Sequence, residues 1–532
     1  MNTVASARVA PRVDGFLRNR SSLAIAAVVV VVALAYGEAR ASIVFPAIAL
    51  MAATAWLQDD RTNVLLYLGF LGVQFAVPEG TMTLPFRVAP SDFFLLPVLA
   101  HLAWARVTGA RRLPRTSMAW PLAGLVAAFA IGTVVGVTTT QRLTAYVWFS
   151  KDAGILFLIA GFFALIQTLN TREDMRDALT AFVVGASIAN VLALLTAAVA
   201  VTVWPIRVVL GGRLYGWMFN PSSYAALIIT VMFIDLGRIR TDSSPGSERI
   251  RWLNWALLVA AVVCSLSRSA WAGTAAGAIV FLLAYVSIVR PIARPVVVAV
   301  VVAFALSSVP LVWAATVHWR RLATTVADPA GRAADLRNWA ADSCVVVGWE
   351  AGICDRLSAE EVAAARARQR EGHSFGVGVD GEAVMGVQRD GALLNSRGLD
   401  DRAAIVGIAW RYYMRSAMTR LLGIGLGTFY ATSAPSLGLP AIIHSTGVWF
   451  LVELGPFGLA MLLWLLGRTV LNLWRARAGD AADRPMVCAL AAALACWAVF
   501  SLFNEALYVR HLWLLLAAAD RYAGLAGAKV IS

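Results

Sequence analysis

Charged residues are scarce in this chain, at 14% of 532 residues, and lysine is nearly absent, with Lys151 and Lys529 alone. Soluble domains carry about 25% charged and about 45–50% apolar residues. Here apolar residues reach 60% and mean hydropathy is +0.72, which excludes a water-soluble globular enzyme. Alternating polarity over about ten residues, the mark of a membrane β-barrel strand, is also missing. The apolar runs are unbroken, as in Leu23–Tyr36. Lipid leaves each spanning segment no other way to pair its backbone than a helix. Cysteine is sparse, with five residues and neither a CxxC pair nor a Cys/His cluster at zinc spacing. The sequence therefore offers no metal site and no cofactor motif.

What is present is a series of apolar segments of about 20 residues, the length that crosses a bilayer. They are expected near 22–36, 42–57, 63–78, 90–106, 119–138, 145–168, 178–203, 222–237, 252–266, 269–288, 294–316, 446–467, 486–504 and 508–525. The fold class is all-α, a polytopic bundle of about 12–14 spans. A net charge of +14 would suggest nucleic acid for a soluble chain. In a membrane chain it is first a sign of orientation, and no nucleic-acid partner is expected.

With residues 1–21 in the cytoplasm, alternation puts Arg106, Arg111, Arg112 and Arg115, then Arg172 and Arg176, in cytoplasmic loops. The same side receives Arg238, Arg240, Arg249 and Arg251, then Arg468, Arg475, Arg477 and Arg484, and a C-terminal tail at 526–532. The domain plan is a bundle over 22–316, a large outer loop over 317–443, and further spans over 444–525. The basic N-terminus and its apolar run read as an uncleaved first helix. In the loop, Ser358 with Glu361 forms a capping box ahead of an Ala-rich helix. An amphipathic helix over 403–417 is expected along the membrane surface. Cys344 and Cys354 stand ten residues apart, as a local disulfide or two free thiols; Cys264, Cys488 and Cys496 read as small core hydrophobes.

Arginines on the outer side are not explained by orientation. Arg268 sits in Ser-Leu-Ser-Arg-Ser-Ala-Trp between two spans, and Arg213 in Gly-Gly-Arg-Leu-Tyr-Gly-Trp-Met-Phe-Asn-Pro before another. Arg142 lies in an outer turn, and Arg397 and Arg402 close the large loop. Each alone fits a side chain snorkelling to headgroups. Together they fit a diphosphate clamp, because guanidinium groups bind phosphate oxygens bidentately and keep their charge. Lys151, with Asp152, is an intramembrane charge that is either a functional pair or a vestibule ion pair. His444 opens a span in Ile-Ile-His-Ser-Thr-Gly-Val-Trp-Phe-Leu-Val-Glu-Leu-Gly and is the candidate general base. Glu453, nine residues on, need not touch it and is a possible supporting group. Gly423-Ile-Gly-Leu-Gly427 reads as a close-packed or flexible turn, not a nucleotide loop.

Taken in order, Ala89-Pro-Ser-Asp92, Arg213 to Tyr224, Ser267-Arg268-Ser269-Ala270, Leu421 to Phe429 and His444 to Gly455 resemble the O-antigen ligase and O-antigen polymerase superfamily of bacterial polysaccharide assembly. The resemblance implies a metal-independent, inverting glycosyltransferase of the multi-span C type in the bacterial inner membrane, with both termini cytoplasmic and the active site outside. It also implies its partners: a polyprenyl-diphosphate-linked glycan as donor, and a lipid or glycan acceptor within the membrane lipids. His444 would deprotonate the acceptor, and Arg268 with Arg402 or Arg397 would hold the donor diphosphate, with Arg213 nearby. A repeat-unit polymerase shares these features. A flippase for lipid-linked anions would instead show internal duplication and broken midplane helices, neither of which is evident in the sequence. A scaffold in an export complex would leave the arginines and histidine incidental.

Overall fold

The computed structural model describes residues 52, 55–73, 91–109, 116–140, 154–202, 209–210, 213–214, 221–239, 245–265, 267–284, 360, 363, 400–430, 432, 443–504 and 506–531. These form a helical bundle, and each span expected between 63 and 288 and between 446 and 525 coincides with a helix. The helices are α1 (Asp60–Val73), α2 (Asp92–Val107), α3 (Ala119–Thr140), α4 (Gly154–Thr168), α5 (Arg172–Thr202), α6 (Pro221–Ile239), α7 (Pro245–Cys264) and α8 (Arg268–Ala284). Further along the chain come α9 (Asp400–Tyr413) and α10 (Ala417–Leu422), within the segment expected as the large loop, and then α11 (Thr446–Arg477), α12 (Arg484–Ser501) and α13 (Arg510–Ile531). Five described helices are long and apolar enough to cross a membrane: α3, α5, α6, α11 and α12. The expected spans at 22–36 and 294–316, and all but fragments of that at 42–57, lie outside the described residues.

Local chemistry sets the helix starts. Pro221 and Pro245 occupy first positions, where a missing N–H costs nothing. Asp59 accepts the Thr62 amide and hydroxyl, both at 2.8 Å, and so caps α1. Burial pushes that carboxyl up, yet the hydrogen bonds from Thr62 and neighbouring amides outweigh it and leave Asp59 below its ordinary value.

Two departures from expectation concern helix continuity. The helix expected over 403–417 ends at Tyr413, and Ser416 opens α10 with a capping box shared with Thr419. Serine's hydroxyl competes with the helix for backbone partners, so it starts a new helix here and ends the old one. The second departure is a break inside α11 at Gly455, with φ 72°, followed by Pro456. Between α5 and α6 a two-residue antiparallel pairing, Val209–Leu210 with Arg213–Leu214, flanks Gly211 and Gly212.

The helices approach through small residues, as lipid-embedded helices do. Gly72 of α1 faces the backbone of Phe182 and Ala186 of α5, and Gly185 faces the Gly69 carbonyl. On α8, Gly273 and Gly277 lie against Cys496 and Ala492 of α12. Cys264, Cys488 and Cys496 are buried free thiols, packed as the sequence suggested. Large apolar side chains such as Trp104, Trp120 and Leu283 point outward, each more than 70% exposed, as side chains facing acyl chains would.

Contacts between helix ends fall into two groups. On one face, Arg61 pairs with Asp174 and Asp177 at 2.9 and 2.8 Å, and Arg172 with Asp480 and Asp483 at 2.6 and 3.0 Å. The Arg521 Nε donates to the Leu169 carbonyl on that same face at 2.7 Å. The opposite face gathers the starts of α2, α8, α11 and α13, and it contains His444.

Candidate functional site

His444 sits in a short segment before α11, half-buried, and follows the buried Ile443. Thr446, the first residue of α11, is 2% exposed. Its hydroxyl donates to the Asn504 carbonyl at 2.7 Å and accepts the Ala506 amide at 3.0 Å. Asn504 belongs to the connection between α12 and α13. Its side-chain amide donates to Ser269 Oγ at 3.1 Å and to the Phe500 carbonyl at 3.1 Å. Ser269 Oγ lies 3.2 Å from Ser267 Oγ, so serines on both sides of Arg268 join this network. One residue, Asn504, therefore joins the start of the His444 helix to the Arg268 turn.

The Gly-rich turn is built against the break in α11. Pro456 has no N–H for the Val452 carbonyl, and the positive φ at Gly455 frees the Glu453 carbonyl. Both are satisfied from the turn: the Ile424 amide donates to Val452 O at 2.8 Å, and the Gly425 amide to Glu453 O at 3.1 Å. On its other side the Leu426 amide donates to Gly132 O of α3 at 2.8 Å. Gly425, with φ 95°, presses on the Gly136 backbone so closely that a Cβ has no room.

Glu453 is 3% exposed, and its carboxylate closes the turn. It accepts the Gly427 amide at 2.9 Å, the Phe429 amide at 3.3 Å and the Trp449 indole N–H at 2.7 Å. Its role is thus to anchor the turn, and the amides that a nucleotide loop would present are already taken. Trp449 also packs edge-on to Phe129 and Phe450, with Tyr508 5.7 Å away between ring centroids.

Arg268 opens α8 and Arg402 lies in the first turn of α9; Arg213 lies in the short β pairing. These three are placed by their backbones. Arg142, Lys151, Arg397, Cys344 and Cys354 lie outside the described residues. Among the described residues no group of three or more His, Cys, Asp or Glu gathers at metal-binding distance.

Sequence reasoning missed three features of this face. Arg510 makes a two-pronged ion pair with Asp92, Nε to Oδ1 at 2.9 Å and Nη2 to Oδ2 at 2.6 Å. In the sequence Asp92 stands out only as the end of Ala89-Pro-Ser-Asp92; its partner is another charge at a helix start. Asn504 and Thr446 gave no signal, since their partners stand 235 and 58 residues away in sequence. The helix break was readable from the Gly455-Pro456 pair, which punctuates helices. No family model matches the chain, and no curated protein matches it.

Proposed function

We propose that the chain is a membrane glycosyltransferase of the O-antigen ligase type, moving a glycan from a polyprenyl diphosphate to an acceptor hydroxyl at the outer face of a bacterial inner membrane. The observation that carries this reading is the juxtaposition of the His444 segment with the Arg268 turn through Asn504. In the reaction His444 takes the proton of the acceptor hydroxyl. The oxygen forms a bond to the anomeric carbon, and the bond from that carbon to the diphosphate oxygen breaks with its electron pair. Polyprenyl diphosphate leaves as an anion, and the configuration inverts. Arg268, with Arg402 or Arg397, stabilises the charge growing on the leaving group. The helix N-termini at Arg268 and Thr446 bring further positive dipole ends to the same face.

Large-loop geometry and the full span count of a C-type glycosyltransferase belong to the same proposal. The amphipathic segment around α9 and α10 supports a position at the membrane surface: Trp410, Met414, Met418 and Leu421 are all exposed.

Transport of a lipid-linked anion is the second reading, favoured by the break in α11. Against it, the two carbonyls released by the break are occupied by the Ile424 and Gly425 amides, and Glu453 is occupied by three donors. Little is left there to coordinate a passing ion.

Complementation of a deletion host with His444→Ala, Arg268→Ala and Arg402→Ala tests the enzyme reading. Loss of mature glycan is expected, and normal glycan in all three overturns it. Unattached full-length lipid-linked chains in the deletion host mark a ligase; loss of chain elongation marks a polymerase.

A further inference from the structure

We propose that Asn504 is a positioning residue that sets the distance between the His444 base and the Arg268 cation, an inference that rests on the function proposed above. Three observations carry it. First, Asn504 acts in two directions at once: its backbone carbonyl holds the start of α11 and its side chain holds the first turn of α8. Second, the α11 end of the bridge is double. The Thr446 hydroxyl both donates to Asn504 and accepts from Ala506, so the connection between α12 and α13 cannot slide along α11 without losing two bonds. Third, the α11 end of the bridge is sheltered, with Thr446 2% and Asn504 9% exposed, while Ser269 at the other end is half-buried. Water is a poor substitute partner at the buried end, so the spacing there is held by these particular atoms.

α8 and α11 share α12 as a neighbour: α8 packs on α12 and α6, and α11 packs on α13, α3, α10 and α12. At the end of the bundle that carries both catalytic segments, Asn504 in the connection at 502–509 bonds to both. Proton transfer and leaving-group stabilisation must occur in one transition state, and a displacement of about 1 Å between such groups costs about a hundredfold in rate.

The prediction concerns turnover more than binding. Releasing the bridge leaves the donor its arginines and the acceptor its histidine, but not their mutual geometry. Asn504→Ala should lower kcat about a hundredfold while the donor KM stays within about twofold. Thr446→Ser keeps the hydroxyl and should keep activity. Thr446→Val, of the same shape without the hydroxyl, should lose it. Thr446→Val and Ser269→Ala cut one bridge at its two ends, so the double variant should be no slower than the worse single.

The test uses the purified full chain in lipid nanodiscs. An undecaprenyl-diphosphate-linked oligosaccharide serves as donor, and a membrane lipid extract of the deletion host as acceptor. Release of undecaprenyl diphosphate is followed across pH, with thermal unfolding as the fold control. Expected is a loss of kcat in folded protein, rescue by Thr446→Ser and non-additive loss in the double variant. Unchanged kcat in folded Asn504→Ala, or losses that multiply in the double variant, overturns the proposal. If Asn504→Ala does not fold, the Thr446→Ser and Thr446→Val comparison and Ser269→Ala, each a change of one or two atoms, decide it alone. Full turnover by His444→Ala would instead sink the functional reading itself.

Discussion

Replacing Glu453 by glutamine removes one charge and changes one oxygen to NH2, a small change in shape with a calculable result. Oε2 accepts two hydrogen bonds, from Gly427 and from the Trp449 indole, and Oε1 accepts one from Phe429. If the glutamine carbonyl takes the Oε2 position, two charge-assisted bonds become neutral, losing about 1 kcal/mol each. The new NH2 then faces the Phe429 N–H, donor against donor, at a cost of about 1–3 kcal/mol. Allowing for relaxation, the turn loses about 2–4 kcal/mol of local stability. At about 1.4 kcal/mol per factor of ten, the lower bound raises local opening about 30-fold. Hydrogen exchange with mass spectrometry reads this directly in peptides spanning 424–430, with peptides from α1 and α5 as internal controls. Glu453→Gln should accelerate the first and leave the second unchanged. Equal acceleration in both sets, or none in 424–430, would refute the assignment of Glu453 as the anchor of the turn.

Removing one member of the Asp92–Arg510 pair strands the other, because Asp92 is 8% exposed at its side chain; Arg510→Met should cost about 3 kcal/mol in thermal unfolding. The double variant Asp92→Leu with Arg510→Met should recover most of that, and a double variant as unstable as the sum of its singles would contradict the pairing. Gly425→Ala should abolish monodisperse protein in detergent chromatography, since a Cβ there meets the Gly136 backbone at φ 95°. Gly447→Ala, with nothing within 4 Å of its Cβ, should be neutral or stabilising. The depressed Asp59 carboxyl contributes stability above the unfolded value of about 4, and that contribution is lost as pH falls through the folded value. Asp59→Ala should therefore cost about 1 kcal/mol at pH 7 and progressively less as pH falls below the unfolded value, checked by acid titration of wild type and variant.

What the sequence revealed of this molecule follows from the range of the forces involved. Hydrophobic length is a local property, so α3, α5, α6, α11 and α12 were visible as runs of residues. Charge asymmetry is nearly local, and it put Arg172 on the same side as the loop between Arg477 and Arg484, where Arg172 now pairs with Asp480 and Asp483. The Gly423–Gly427 segment reads as a close-packed or flexible turn, because the strand that a nucleotide loop requires is missing before it, and the structure shows it close-packed. Its partners were invisible, since hydrogen bonds to Gly132 and Val452 depend on how distant helices meet. The same limit hid Asn504. A polar residue at the end of the expected span 486–504, with Glu505 beside it, looks like ordinary interfacial chain until the structure puts Thr446 on one side of it and Ser269 on the other. At Gly455-Pro456 the signal was local, but the apolar run on either side read as one uninterrupted span.

The division of labour in the C-terminal hairpins has a consequence for how the chain is made. α12 rests against α6 and α8, α13 against α4, and α11 against α3. The Gly132 carbonyl on α3 cannot meet Leu426, nor can Ser269 meet Asn504, until ribosomes have delivered residues made long afterwards. During synthesis the earlier helices must wait in the bilayer as a loosely gathered half-product, with glycine-lined faces still open to lipid. The last helices then arrive as a keystone. Premature termination anywhere after the large loop would leave an arch without one, a species that membrane quality-control proteases should remove rapidly.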